Sequence, residues 1–171
     1  MHPEIDHFVA SVKEAMPKYF NGTNVLEVGS QDINGSVRKH FTNCKYLGLD
    51  LGEAPGVDLV EDIIDFSKPE EYDVVISSEM LEHCITWEGA LRQMYSNLKS
   101  GGILIITCAG PTRQEHGTRR TSPADSQFTL DHYRNISIED LRSILPPKFF
   151  KDQSLGLYRG AADLYFYGVK K

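Results

Sequence analysis

Apolar side chains near the start of the chain fall at Ile5, Phe8, Val9, Val12, Ala15, Met16 and Tyr19. Spacings of three and four lay one apolar stripe along a helix, so a helix is predicted over 3–20, ended by Asn21-Gly22. The pattern then tightens. Asn24-Val-Leu-Glu-Val-Gly29 is a short β-branched run closing on glycine, and Asn34-Gly-Ser-Val-Arg-Lys-His-Phe41 follows as a short helix. Further short runs rich in Val, Ile and Leu predict strands over 45–49, 57–60, 72–77 and 103–108, of the kind covered on both faces in a parallel sheet. Between the last two, Trp87, Ala90, Leu91, Met94, Tyr95 and Leu98 form a helical stripe over 86–99, closed by Ser100-Gly-Gly102. Alternating strands and helices indicate an α/β fold with a parallel sheet. The link 51–56 is too short for the usual crossover helix. Extended, it spans roughly 20 Å, so an irregular, tight crossover is expected.

After Cys108 the chain turns polar, broken at Gly110-Pro111, Gly117 and Ser122-Pro123, and a connection of this length is usually functional or disordered. A helix is expected at 137–145, with Ser137 as N-cap and Asp140 where a capping box has Glu or Gln, before Pro146-Pro147. The tail, 149–157 and 162–169 about Tyr158-Arg-Gly-Ala161, predicts an antiparallel hairpin. One domain is expected over 1–171: an N-terminal helix (1–23), a core (24–108), a candidate substrate lid (109–135), and a C-terminal helix with its hairpin (136–171).

Composition narrows the classes. Of 171 residues 40% are hydrophobic and 25% charged, ordinary for a globular domain, and no apolar run reaches the roughly 20 residues of a membrane span. Glu4, Asp6, Lys13, Glu14 and Lys18 interrupt the N-terminal stretch, which therefore lacks a secretory core. Cys44, Cys84 and Cys108 form no CxxC pair, so neither a disulfide framework nor a bound metal is expected, and a reducing cytoplasm is the simplest setting. A net charge of -6 disfavours a broad grip on nucleic acid.

The candidate chemistry begins at Gly29, where a turn leaving the first strand lets a ligand approach backbone N–H groups. A dinucleotide fingerprint needs a second glycine where this chain has Gln31. A cofactor with a carboxylate and an ammonium group in place of phosphates tolerates that change and matches the acid at Glu27. Asp50 lies just past the second strand, where such folds receive ribose hydroxyls, and Asp62 follows the third strand. Parallel strands bring their carboxyl ends to one edge, so Glu27, Asp50 and Asp62 should line one crevice.

Val25-Leu-Glu-Val-Gly-Ser30, Gly48-Leu-Asp50, Glu61-Asp62, the run Tyr72 to His83 containing Ser78-Glu-Met-Leu-Glu-His83, and Asn97-Leu-Lys-Ser-Gly-Gly-Ile-Leu104 resemble class I, Rossmann-like S-adenosylmethionine-dependent methyltransferases over about 24–108. The resemblance implies S-adenosyl-L-methionine as cofactor and a three-layer sandwich with a mostly parallel seven-stranded sheet whose last hairpin is antiparallel. It implies that Glu27 orients the methionine ammonium, Gly29 passes under the cofactor, Asp50 binds ribose, Asp62 meets the adenine amino group, and Ser78 with Glu79 passes beside the cofactor. Ser30, Gln31, Asn34, Leu51 and Ile63 complete the expected cofactor set. The turn departs from the family pattern in lacking two further glycines.

The loop following the fifth strand should lie over this crevice. It carries Arg113, Arg119 and Arg120, whose forks suit an anionic acceptor, although a solvated loop would hold them equally well. An acceptor that must lose a proton needs a base, for which His116 and His83 are the candidates. His83 also fits as a packed helix residue, and Asp50 and Asp62 as caps. Methyl transfer to a small, anionic acceptor is the expected function, with nucleic acid and protein acceptors still open. The alternatives are a non-catalytic S-adenosylmethionine-binding or regulatory protein, and another transferase, such as an aminopropyl transferase, on the same scaffold.

Overall fold

The computed structural model describes residues 3–129 and 131–171. Met1, His2 and Leu130, which fall within the expected N-terminal segment and lid, lie outside the described residues. The elements run α1 (Pro3–Ala15), β1 (Asn24–Val28), β2 (Lys45–Asp50), β3 (Leu59–Val60), β4 (Tyr72–Ser78), α2 (Trp87–Asn97), β5 (Leu98–Ala109), α3 (Ile138–Ile144), β6 (Phe150–Tyr158) and β7 (Asp163–Lys170). One seven-stranded sheet has the order β3-β2-β1-β4-β5-β7-β6. β3, β2, β1, β4 and β5 pair in parallel, while β7 runs antiparallel to both β5 and β6. This is the α/β sheet with an antiparallel final hairpin that the sequence led us to expect.

Alternate side chains point to opposite faces of a strand, and here they build two cores. Val25, Val74, Ile76, Ile103 and Ile105 face α1, which buries Ile5, Val9 and Val12 on them. Leu26, Val75, Leu104 and Ile106 face α2 and α3, meeting Trp87, Leu91, Met94, Leu141 and Ile144. Helices on both faces of one sheet make three layers. Ser137 caps α3: its hydroxyl accepts the Asp140 N–H, and the Asp140 carboxylate accepts the Ser137 N–H in return, so Asp fills the place usually given to Glu or Gln.

Four expectations need correcting. α1 ends at Ala15, because Pro17 lacks an N–H and cannot continue the helix, and a 3-10 turn over Pro17–Tyr19 follows instead. The helix expected over 34–41 is only a 3-10 turn, Val37–His40. Gly35 has φ +119 and Ser36 is extended, conformations that a helix cannot use. The third strand is shorter than 57–60. α2 stops at Asn97, and β5 begins at once with Leu98, the register slipping between its pairings at Leu98 and Ile103 so that the glycine pair sits within the strand.

The tight crossover after β2 is present and irregular. Asp58 holds it from both ends: its N–H donates to the Gly48 carbonyl, and its carboxylate accepts the Gly48 N–H and pairs with Arg38. The Asp32 N–H donates to the Pro55 carbonyl, which ties this crossover to the turn after β1. A Cβ on Gly56 would stand 2.5 Å from the Ser30 carbonyl oxygen, so glycine permits the two loops to touch.

Candidate functional site

The crevice opens at the carboxyl edge of the parallel strands, beside β1, where the strand order reverses between β2 and β4. Register sets the acids in a staircase. Glu27 pairs with Gly48, two residues before Asp50, and Asp50 pairs with Val60, two residues before Asp62. Each acid therefore stands one strand over and two residues further out, roughly 8 Å apart by ordinary sheet spacings.

Glu27 is 4% exposed and accepts a hydrogen bond from the Tyr46 hydroxyl at 2.9 Å. The Arg38 guanidinium lies over the Tyr46 ring. Burial nevertheless dominates and pushes the Glu27 carboxyl up to about 7. Asp50 is clamped by two backbone donors, Gln31 N–H at 2.9 Å and Leu51 N–H at 2.8 Å, one on each oxygen. Each oxygen keeps a further lone pair for an outside donor, and burial raises the pKa against those two bonds. Asp62 accepts the Ile64 N–H.

Glu27, Gly29, Ser30, Gln31, Asn34, Asp50, Ser78 and Glu79 line one cleft, and Leu51, Asp62 and Ile63 line the cleft that adjoins it. The two share Gly29, Asp50, Met80, His83, Phe128 and Thr129. All eleven expected cofactor residues thus meet in one crevice. The hydroxyls of Ser30 and Ser78, which line it, are buried with no hydrogen-bond partner among the described residues. Gly29 answers to another demand as well. It has φ +79, and a Cβ there would stand 2.5 Å from the Met80 Cβ.

At the end of β4 the backbone turns sharply, with Glu79 at φ +55, a left-handed region that non-glycine residues seldom occupy. The turn carries Leu81, Glu82 and His83 into a 3-10 helix with all three buried. His83 Nδ1 lies 3.4 Å from the His132 carbonyl and His116 Nδ1 3.2 Å from that of Gln114. The two imidazoles meet edge to face with centroids 5.0 Å apart. Burial lowers both, His83 to about 4, and so disfavours the charged form of each ring. Both line the cleft.

The three arginines are placed differently. Arg113 turns inward, pairing with Asp163 at 2.5 Å and standing 3.8 Å from Glu79. Arg120 is exposed and bonded to Glu115, and the backbone N–H of exposed Arg119 donates to the Asp131 carboxylate. None of them is among the residues lining the crevice. The loop instead contributes Asp125, Ser126, Gln127, Phe128 and Thr129, which had not been singled out. Phe128 stacks close over the crossover: a Cβ on Gly52 would meet its ring at 2.4 Å. Tyr46 and Glu82 were also missed. Glu82 carried a faint signal, a charge directly after apolar Met80-Leu81.

The family described as Methyltransferase domain matches residues 4–147. The chain belongs to that family. Among solved structures, the methyltransferase resembles an S-adenosylmethionine-dependent methyltransferase from Archaeoglobus fulgidus, with TM-score 0.66 and 17% identity over 97% of this chain and 94% of the other. A Burkholderia thailandensis 1,6-didemethyltoxoflavin-N1-methyltransferase, solved with 1,6-didemethyltoxoflavin and S-adenosylhomocysteine, gives 0.66 and 14% over 97% and 78%. Haemonchus contortus phosphoethanolamine N-methyltransferase 2, solved with S-adenosyl-L-methionine, gives 0.66 and 15% over 96% of this chain and 52% of that one. At such identities the likeness establishes the fold. No curated protein matches by sequence. Family and fold together uphold the expected S-adenosylmethionine-dependent methyltransferase of class I. Among the described residues, no helix is long and apolar enough to cross a membrane.

Proposed function

We propose that this methyltransferase transfers the methyl group of S-adenosyl-L-methionine to a small acceptor, with the cofactor held along the staircase Glu27, Asp50, Asp62. The staircase carries the proposal, since three carboxylates stepping along one sheet edge match the three donor groups of that cofactor: ammonium, ribose hydroxyls and adenine amine. Glu27 takes the ammonium, Asp50 the ribose through its spare lone pairs, and Asp62 the adenine. Ile63, Leu51 and Phe128 flank the base, while Gln31, Asn34, Ser30, Ser78 and Glu79 wall the methionine side. The bound sulfonium supplies an already activated methyl group, so the protein's main task is to hold the acceptor in line with it.

His83 and His116 act on the acceptor, since both imidazoles line the cleft at the end of β4 and burial disfavours their charged forms. For an anionic acceptor, Arg119 offers a guanidinium fork on the exposed loop, whereas Arg120 would first have to release Glu115 and Arg113 its partner Asp163. The small-molecule ligands of the toxoflavin and phosphoethanolamine enzymes favour an acceptor of that size. Unpaired Cys44, Cys84 and Cys108 suit a reducing cytoplasm. Calorimetric titration with S-adenosylhomocysteine tests the assignment: wild type should bind one equivalent, and Asp50→Ala about 10- to 100-fold more weakly, as expected for losing hydrogen bonds to a charged acceptor. Equal affinity of the two proteins would remove Asp50 from the site.

A further inference from the structure

Among the described residues, Glu82, His83 and His116 are the one group of three whose ligating atoms converge, all lying within 4.8 Å of one another. Glu82 is 0% exposed. One of its oxygens, Oε1, accepts the Ala109 N–H at 3.1 Å, and the other has no hydrogen-bond partner among the described residues. A buried carboxyl oxygen left so is costly unless a hydrogen-bond partner or a cation meets it. His116 Nε2 stands 4.0 Å from Oε1, too far for a hydrogen bond.

The histidines are oriented for a ligand. With Nδ1–H of His83 given to the His132 carbonyl and Nδ1–H of His116 to that of Gln114, each ring keeps its lone pair on Nε2. Backbone carbonyls fixing the tautomer in this way are the usual outer partners of metal-bound histidine. The loop is shaped to bring the rings together. Gly117 has φ +66, and a Cβ there would stand 2.6 Å from His83 Cε1, so the residue after His116 must be glycine for this approach. Tyr133 packs against both rings, and its hydroxyl donates to the Gln114 carbonyl.

We propose that Glu82, His83 and His116 bind a divalent first-row transition-metal ion, with its remaining coordination positions facing the acceptor side of the cleft. Two imidazoles and one carboxylate are a donor set for zinc, iron or cobalt rather than for magnesium or calcium, which favour all-oxygen ligands. Ligands about 2.0–2.1 Å from a tetrahedral ion lie roughly 3.3 Å apart, so small side-chain rotations close the site. Binding of the ion is independent of the proposed methyl transfer. Its consequence rests on that proposal: a metal ion lowers the pKa of a hydroxyl bound to it, which makes an acceptor oxygen the natural target and gives the histidines their role as ligands.

The test uses cobalt(II) added to chelator-treated protein without cofactor, read by its visible absorption and by calorimetry. Wild type should bind one equivalent with the visible d–d bands of tetrahedral cobalt, displaced by zinc(II) and not by equal magnesium(II). His116→Ala lies on the loop and should bind at least tenfold more weakly. Glu82→Gln, an isosteric change, should do the same, while exposed His7→Ala binds as wild type. Absence of saturable binding to wild type, or bands unchanged in both His116→Ala and Glu82→Gln, overturns the proposal. Titration of S-adenosylhomocysteine into the metal-free protein separates this outcome from failure of the methyltransferase assignment.

Discussion

Glu27→Gln should stabilise the protein while weakening the cofactor, because the carboxyl is held in an environment that disfavours its charge. Its pKa is raised from the ordinary 4.5 to about 7, chiefly by burial. A raised carboxyl pKa means that the folded state binds the proton more tightly than the unfolded chain. The penalty on stability is therefore absent below pH 4.5, grows as pH rises, and is complete above pH 7. A tenfold difference in proton affinity is worth about 1.36 kcal/mol, so the penalty amounts to about 3 kcal/mol. Glutamine keeps the shape and an oxygen to accept the Tyr46 hydroxyl, forfeiting about 1 kcal/mol where a charged acceptor becomes neutral. A net gain of about 2 kcal/mol follows at pH 8, or roughly 4–8 °C in Tm for a chain of this size. Urea unfolding of both proteins at pH 8 and pH 5 checks this: the gain should be present at pH 8 and largely gone at pH 5. A variant less stable than wild type at pH 8, or a difference that ignores pH, would refute the role given to burial.

The same titration governs binding. Below pH 7 Glu27 must shed a proton to meet an ammonium group, so wild-type affinity for S-adenosylhomocysteine should fall about tenfold from pH 8 to pH 6, and calorimetry should find that dependence gone in Glu27→Gln. Gly29→Ala forces φ +79 on alanine and sets a Cβ 2.5 Å from that of Met80. It should cost about 2–4 kcal/mol in urea unfolding, and a loss below about 0.5 kcal/mol would contradict the packing described. Ser137→Ala removes the hydroxyl that accepts the Asp140 N–H at 3.0 Å. A loss of about 1 kcal/mol is expected, seen as a Tm lowered by about 2–4 °C, whereas an unchanged Tm would show that the cap adds nothing.

Much of the fold was legible because it follows from period. The stripe in α1, the β-branched runs of β1 and β4, and the Ser137 to Asp140 cap each act over a few residues. The three acids were legible too, since position at a strand end is a local property and parallel pairing does the rest. What failed depends on distant partners. The segment 34–41 reads as helical by itself, but Asp32 is drawn to Pro55 across the crossover and Gly35 leaves the helical region. Arg113 looked like a substrate group because its partner, Asp163, comes from β7, 50 residues on. Glu82 stood in the sequence only as one residue of the run Tyr72 to His83, with no role of its own. Its meaning comes from His116 folding over it, and no short pattern links a 3-10 helix to a loop beyond the next strand.

The most direct test of the cofactor assignment is a crystal structure of the wild-type protein with S-adenosylhomocysteine. The ammonium should lie against Glu27, both ribose hydroxyls on Asp50 and the adenine between Asp62 and Phe128, with the sulfur facing His83 and His116. A ligand bound away from the Glu27, Asp50 and Asp62 staircase would contradict the account.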